Sequence, residues 1–351
     1  MKFIHIADIH LGANPDAGSA GKDTRGREMW ESLERVTKVC RGEKVDVLLV
    51  AGDLFHRQPL LRELKEVNYL FASMEETQVI LIAGNHDYLK KDSYYHTFAW
   101  APNVHMILSE EISCVELPEL ELAVYGCSYY SREIAEEKYQ GIHAEHRQKY
   151  EILLAHGGDE KHIPIKRNDI VSLGYDYVAL GHIHKPQIFE PYPMAYAGAL
   201  EPIDKNDMGE HGYIKGELTE QGCQFEFVKY ALREYISMEI VVDKETTGYE
   251  LRGKIEEAIA GCGCRNLYKI RITGQRSPET LYDLSAMDPY GNIVELKDET
   301  RPAYDYEKLM KQNGENLLGR FIQSLKDSEE DSIEYQALCA GVEALIETRR
   351  G

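Results

Sequence analysis

Five short polar motifs in the first half of the sequence contain residue types that bind metal ions. In chain order they are Asp8-Ile9-His10, Gly52-Asp53, Gly84-Asn85-His86-Asp87, His156-Gly157 and Gly181-His182-Ile183-His184. Their side chains offer carboxylate and amide oxygens and imidazole nitrogens. This mixture suits Mn²⁺, Fe or Zn²⁺ and differs from the ligand set of a structural zinc knot, which is rich in thiolates. The motifs therefore predict a centre that binds divalent metal ions.

Each motif follows a short apolar run that predicts a β-strand. Six such runs alternate with helical patterns over about 27–41 and after Pro59, which is typical of an α/β layered sheet; the runs cover residues 2–7, 46–51, 79–83, 122–125, 152–155 and 177–180. Ligands bind at the C-terminal ends of strands in such sheets, and glycine allows sharp turns there. A single strand-end histidine or aspartate is usually a satisfied polar group, but five motifs in one domain argue against that explanation.

The order of the motifs resembles the calcineurin-like metallophosphoesterase superfamily over about residues 1–230. The resemblance implies a four-layer α/β/β/α sandwich that holds two divalent ions, with Mn²⁺ preferred and Fe or Zn²⁺ as alternatives. Asp53 would bridge the ions, and a hydroxide between them would attack phosphorus. One ion would take Asp8, His10, Asp53 and His184, and the other Asp53, Asn85, His156 and His182. His86 would donate a proton to the leaving alkoxide.

A second resemblance concerns one group of proteins within this superfamily. Many superfamily members have an aspartate three residues after the bridging aspartate, whereas this chain has His56 in Gly52-Asp53-Leu54-Phe55-His56. That segment is similar to SbcD-type DNA double-strand-break repair nucleases, which implies that His56 acts with His86 on the leaving group or the DNA end. The segment 196–202 departs from the family pattern, because Ala197 and Ala199 replace a proline and a serine.

The pattern changes near residue 234, which predicts a nuclease domain (1–233), a small α+β capping domain (234–303) and C-terminal helices (304–351). From Tyr304 on, two amphipathic helices are predicted, the first with Leu309 to Leu325 on one side. By resemblance, the cap would help to select DNA and the last helices would dock on an SbcC-like ABC-type ATPase. The same helices could instead pack only on their own domain. The resemblance also allows a homodimer.

The net charge of −20 argues against a protein that grips DNA through a broad basic surface. Bound metal ions or a partner would then have to supply positive charge. The leading hypothesis is a DNA-repair exonuclease or endonuclease. A phosphodiesterase for small substrates such as cyclic nucleotides fits the charge better, and a non-catalytic scaffold for the ATPase is the alternative from another class.

The remaining sequence features predict a cytoplasmic protein outside the membrane. No secretion signal or long apolar span is visible, and the seven scattered cysteines suit a reducing compartment. Asp204, Asn206 and Asp207 lack the spacing of a calcium loop and are interpreted as an acidic surface loop.

Overall fold

The computed structural model describes residues 1–15, 22–329 and 332–350. Its contacts divide the chain into two compact units, Met1–Tyr235 and Ile236–Gly351. The predicted functional division into 1–233, 234–303 and 304–351 stays a prediction. No helix among the described residues combines the length and apolar character needed to cross a membrane.

The helices and strands follow one another in the mixed order predicted from the sequence. The α-helices are α1 (Lys22–Glu43), α2 (Leu61–Ala72), α3 (Arg167–Val171), α4 (Gly248–Cys262), α5 (Tyr306–Asn313), α6 (Leu317–Leu325) and α7 (Ile333–Arg350). The strands are β1 (Lys2–Ile6), β2 (Val47–Ala51), β3 (Gln78–Ile82), β4 (Val104–Met106), β5 (Ser113–Leu117), β6 (Leu122–Gly126), β7 (Tyr150–His156), β8 (Tyr177–Gly181), β9 (Gln187–Ile188), β10 (Met194–Tyr196), β11 (Gly212–Thr219), β12 (Gly222–Lys229), β13 (Tyr235–Val242), β14 (Leu267–Arg276), β15 (Ile293–Asp298) and β16 (Arg301–Pro302).

Two six-stranded sheets form the first unit. The first sheet has the order β12-β11-β1-β2-β3-β4, and the second has the order β5-β6-β7-β8-β10-β9. The pairs β1–β2, β2–β3, β6–β7 and β7–β8 are parallel. Parallel strands end at the same edge of a sheet, so the motifs that follow β1, β2, β3, β7 and β8 are brought to neighbouring positions.

Three apolar clusters hold the layers together. One packs α1 and α2 on the outer face of the first sheet and includes Leu33 and Leu64. A second lies between the sheets and includes Leu49 and Leu154. A third covers the outer face of the second sheet with α3 and loop residues such as Tyr139. The predicted four-layer α/β/β/α sandwich is confirmed, although its last layer consists of a single short helix and loops.

A buried ion-pair network fixes α1, which begins five residues before the predicted start. The Arg25 side chain is fully buried, and its guanidinium lies 2.9 Å from Glu28 and 3.5 Å from Glu201. Glu201 also accepts hydrogen bonds from the hydroxyl of Ser32 at 2.5 Å and the amide of Leu232 at 2.7 Å. The glutamate of the segment 196–202 therefore anchors the first helix.

Replacing Arg25 with methionine is expected to lower the free energy of unfolding by about 3–5 kcal/mol, because the buried Glu201 carboxylate loses its cation, while Glu28 keeps its ion pair with Arg233. Urea unfolding followed by tryptophan fluorescence measures this, since Trp30 and Trp100 both lie in the first unit. Lys38→Met is the matched control: its exposed pair with Glu34 on the same helix should contribute about 0.5 kcal/mol at most. Equal stability losses in the two variants would contradict the network's role.

The second unit has its own cores. Its sheet has the order β13-β14-β15 with β16 beside β14, and α4 packs on it through Leu251, Ile255 and Ile259. The side chain of Thr247 caps α4 by accepting a hydrogen bond from the amide of Glu250. Arg276 on β14 pairs with Glu343 on α7 at 2.5 Å.

The prediction of two C-terminal helices is wrong in one respect. The expected first helix is divided into α5 and α6, with Leu309 on one and Leu325 on the other. The division occurs because α5 ends at Gly314 and the Asn316 side chain accepts a hydrogen bond from the amide of Gly319, which starts a new helix. Leu318, Ile322, Leu338 and Val342 then form a small core between α6 and α7.

Candidate metal centre

The motif residues lie at strand ends where the backbone takes an unusual conformation. Asp8, His10 and Asp53 have φ values of 49°, 50° and 50°, and His182 has a φ value of 96°. A non-glycine residue in this region carries a cost of about 1–3 kcal/mol, which the surrounding structure must offset. Hydrogen bonds from the amide of Asp8 to Gly52 O (3.2 Å) and from the amide of His10 to Asp53 O (3.0 Å) fix two of these turns.

Two glycines make room for the cluster. A Cβ atom on Gly84 would lie 2.2 Å from Asp53 Oδ1, and one on Gly181 would lie 1.9 Å from Ala51 O. Any larger residue would therefore displace the aspartate or the end of β2. These close approaches explain why glycine precedes the polar residues in both motifs.

One group of donor atoms comes from Asp8, His10 and His184. A ligand atom from each lies within 4.8 Å of the others. The Nε2 atoms of His10 and His184 face each other at 3.2 Å, and His10 Nε2 is 3.8 Å from Asp53 Oδ2. This arrangement brings together the residues that were predicted to bind one ion.

A second group forms on the other side of Asp53. His156 Nε2 lies 3.5 Å from Asp53 Oδ2 and 3.0 Å from Asn85 Oδ1, and His182 Nδ1 lies 3.1 Å from the same amide oxygen. Asp53 Oδ2 thus lies within 4 Å of imidazoles from both groups. All seven predicted ligands are brought together, while their ligation itself stays a prediction.

The donor set fits divalent cations. Asp8 and Asp53 are buried, and in the described part of the chain neither forms an ion pair with a lysine or arginine. Burial raises the pKa of Asp8 to about 6. Burial also opposes the charge on Asp53, but His156 and the other imidazoles outweigh it and hold the pKa of that carboxyl well below its usual range. Two buried carboxylates whose neighbours include several imidazoles but, among the described residues, no paired lysine or arginine suit a site that binds metal ions.

His86 and His56 lie beside the first group of donors. The His86 amide donates to Asp53 Oδ1 at 2.8 Å, and its Nδ1 lies 3.0 Å from the carbonyl oxygen of His56. Because a carbonyl only accepts, Nδ1 carries the proton in that contact, and Nε2 makes no hydrogen bond within the described residues. His56 Nδ1 lies 3.3 Å from His10 Nδ1, so His56 also contacts a predicted ligand.

Asp87 has a structural role that the motif alone did not indicate. Its carboxylate is buried and accepts hydrogen bonds from the Tyr95 hydroxyl (2.8 Å), the Gly84 amide (2.8 Å) and the Phe55 amide (3.1 Å). Burial, followed by the charge of Asp53, raises its pKa to about 7. Asp87 thereby ties the turn after β3 to the turn after β2.

Two further carboxylates were missed by sequence reasoning. Asp207 Oδ2 lies 3.0 Å from His184 Nδ1, and Asp159 Oδ2 lies 2.8 Å from His182 Nε2. The interpretation of residue 207 as part of an acidic surface loop is wrong, because its carboxylate turns inward to the histidine. The only available signal was that Asp159 follows the His156-Gly157 motif closely; nothing local marks Asp207.

Comparison with known proteins places this site in a family. The family model described as calcineurin-like phosphoesterase matches residues 1–186. An uncharacterized metallophosphoesterase of Bacillus subtilis, YhaO, is 30% identical over 248 residues, which is 65% of this chain and 60% of the relative.

Archaeal relatives carry a more specific name. The DNA double-strand break repair protein Mre11 of Methanocaldococcus jannaschii is 28% identical over 225 residues, or 60% of this chain and 59% of the relative. Mre11 of Methanopyrus kandleri is 26% identical over 289 residues, or 73% and 62%. This chain spans about three-fifths of the length of these curated relatives. The family match covers more than half of the chain and contains all five motifs, which confirms the predicted superfamily: the chain belongs to the calcineurin-like phosphoesterases.

Proposed function

We propose that this chain is a two-metal phosphodiesterase that cleaves DNA as an exonuclease or endonuclease of DNA repair. Membership of the family implies divalent metal ions. The observation that carries the proposal is the position of Asp53 Oδ2 between two groups of metal-ligand side chains, 3.8 Å from His10 Nε2 and 3.5 Å from His156 Nε2. A carboxylate in that position suits a bridge between two ions.

Each group supplies mixed oxygen and nitrogen donors to one ion. Asp8, His10 and His184 would hold the first, Asn85, His156 and His182 the second, and Asp53 both. We propose Mn²⁺ as the native ion, with Fe and Zn²⁺ as alternatives that the same ligands accept. When bound, a pair of divalent ions activates water as the nucleophile and neutralises the phosphate oxygens.

We propose that His86 and His56 assist departure of the leaving group. With its ring protonated on both nitrogens, His86 would donate the Nε2 proton to the leaving alkoxide and keep the Nδ1–H hydrogen bond to the carbonyl of His56, which holds the ring in place. His56 lies over the same ring, with a centroid distance of 4.9 Å. The pair would therefore act together where the DNA end leaves.

DNA is favoured over a small diester for two reasons. Several relatives are named as DNA double-strand break repair proteins, and the ring of His56 lies beside those of His10 and His86, which supports the leaving-group role that the SbcD-type resemblance implies. The net charge of −20 instead favours a small diester substrate. An SbcC-like ATPase that supplies the DNA grip would reconcile these facts, and a homodimer would add a second catalytic unit.

Metal-dependent assays on three substrates test the proposal. Purified protein would be titrated with Mn²⁺ and other divalent ions against single-stranded DNA, duplex ends and cyclic nucleotides. We expect cleavage of DNA that depends on the ion. Hydrolysis of the cyclic nucleotides alone would replace the nuclease with a small-substrate phosphodiesterase, and metal binding without any hydrolysis would favour the scaffold.

Removing residues 304–351 is expected to leave hydrolysis of a small model diester nearly intact, because every proposed ligand precedes residue 185. The same truncation should abolish association with an SbcC-like ATPase and any ATP-stimulated cleavage of duplex DNA. Leu317 on α6 and Ile333 on α7 are 69% and 81% exposed, which suits a docking surface. Co-purification with the ATPase and a model-diester assay measure the two effects.

A point variant separates docking from folding. Leu317→Asp combined with Ile333→Asp should weaken the association while α5 to α7 stay folded. Val241→Asp is the matched control, since Val241 is a 62% exposed aliphatic residue elsewhere in the second unit. Unchanged ATPase affinity in both the truncation and the double variant would show that the helices pack only on their own unit.

A further inference from the structure

We propose that Asp159 and Asp207 are positioning residues that select which ring nitrogen His182 and His184 present to the metal centre. The inference rests on the proposed function, because it assigns these histidines as ligands. Each carboxylate contacts one nitrogen of its histidine and leaves the other nitrogen directed at the donor cluster. The two histidines belong to different donor groups, so the two carboxylates would act on different ions.

Asp207 orients the His184 ring and lies on a loop that is itself held by hydrogen bonds. Its Oδ2 lies 3.0 Å from His184 Nδ1 and also accepts the Ile203 amide at 3.0 Å. The Asp207 carbonyl lies 3.1 Å from His211 Nε2, and His211 Nδ1 lies 3.2 Å from Ala199 O, so both ends of the loop are held. The carboxylate accepts a hydrogen bond from Nδ1–H, which leaves the Nε2 lone pair facing His10 Nε2 at 3.2 Å.

Asp159 fixes His182 through its other nitrogen. Its Oδ2 lies 2.8 Å from His182 Nε2, and its Oδ1 accepts the backbone amides of Lys161 (2.8 Å) and His162 (3.0 Å). The His162 ring adds a third contact, with Nδ1 2.9 Å from each carboxylate oxygen. Hydrogen bonds within the turn that contains Asp159 therefore fix the orientation of its carboxylate toward His182.

The resulting His182 tautomer places two acceptor atoms opposite each other. With its proton on Nε2, His182 presents a lone pair on Nδ1 to Asn85 Oδ1, which is itself an acceptor, at 3.1 Å. Two acceptors at that distance cannot hydrogen-bond to each other. A shared cation satisfies both, which gives Asp159 a reason to exclude the other tautomer. A carboxylate that accepts a hydrogen bond from a metal-binding histidine raises the basicity of that histidine and fixes its orientation.

Asp159, His162 and His182 could also be considered as a separate metal site, since a ligand atom of each lies within 4.8 Å of the others. That arrangement would require His182 to give both ring nitrogens to metal ions at once. The positioning role needs only the hydrogen bonds that are present. The test below distinguishes the two assignments.

The first experiment reads the tautomers without any metal. Burial lowers the pKa of His184, but contacts with Asp207 and Asp8 outweigh it and raise that pKa to about 9, so the spectra are recorded above that pH, where both imidazoles are neutral. Long-range ¹H–¹⁵N NMR of the metal-free chain should then show the proton of His184 on Nδ1 and that of His182 on Nε2. Asp207→Ala should alter only the first and Asp159→Ala only the second. Asp204→Ala, on the same exposed loop as Asp207 but without contact to a proposed ligand, is the control and should alter neither.

The second experiment is a calorimetric titration with Mn²⁺ of the full chain. Each alanine variant should weaken one of two binding events by about 10- to 100-fold, and the asparagine variants, which keep an acceptor oxygen, should lose less. Asp207→Ala should have the larger effect, because its side chain is 15% exposed against 49% for Asp159. Thermal melting confirms that each variant is folded.

Three outcomes would overturn the inference. These are unchanged tautomers in the alanine variants, unchanged affinity for both ions, and a third binding event that is lost in Asp159→Ala, which would make Asp159 a ligand. Failure of the proposed function would look different. In that case the wild-type chain would fail to cleave DNA in the metal-dependent assays or would bind no ion pair, while the NMR measurement would still decide whether the two carboxylates set the tautomers.

Discussion

His86→Ala is expected to keep both metal ions and to lose about 10²- to 10⁴-fold in phosphodiesterase activity, the usual contribution of a general acid. The expectation follows from the two contacts that orient the residue. Its backbone amide donates to Asp53 Oδ1 and does not depend on the side chain, so the bridging carboxylate keeps that hydrogen bond in the variant. The imidazole contributes a hydrogen bond to the His56 carbonyl, ring contacts with His10 and His56, and an Nε2 that makes no hydrogen bond within the described residues.

Metal content and turnover must be measured on the same sample. His96→Ala is a matched control, because His96 is an exposed histidine on the loop that follows the motif and also contacts a backbone carbonyl, that of Lys90. The control should keep both ions and full activity. Loss of ions from His86→Ala would make His86 a ligand, which its approach to His10 and His56 within 4.8 Å allows geometrically.

The part of the site that could be predicted from the sequence is the part encoded locally. Apolar runs of four to six residues specify buried parallel strands, and the polar residues that follow them must lie at one edge of the sheets. Gly84 and Gly181 mark close approaches that no other residue allows. For these reasons the five motifs were sufficient to place all seven proposed ligands in one cluster.

Contacts between distant loops were not predictable in the same way. Asp207 meets His184 across 23 residues, and Asp159 meets His182 across the same separation. Which carboxylate reaches which imidazole depends on the path of two irregular loops, and no periodicity describes that path. The early start of α1 has a similar cause, because Arg25 is stabilised by Glu201, far away in sequence. The division of the C-terminal helices depended on one capping side chain, Asn316, within an otherwise continuous apolar pattern.

Asp53→Asn is expected to weaken binding of at least one ion and to remove most turnover. The loss of affinity should exceed the about 10- to 100-fold expected when a residue that only hydrogen-bonds to a ligand is removed. Asparagine keeps the size of the side chain and an acceptor for the His86 amide, but it lacks the negative charge that faces His10 and His156. The variant should therefore lose the proposed bridging carboxylate while the turn after β2 keeps its conformation. Asp46→Asn is the matched control just before the opposite end of β2, where the carboxylate accepts a hydrogen bond from the amide of Lys2. Calorimetric titration with Mn²⁺ and a model-diester assay should separate the two variants clearly. Wild-type occupancy together with wild-type turnover in Asp53→Asn would place the bridge on another residue, and Asp8, whose carboxylate reaches both donor groups, would be the next to replace.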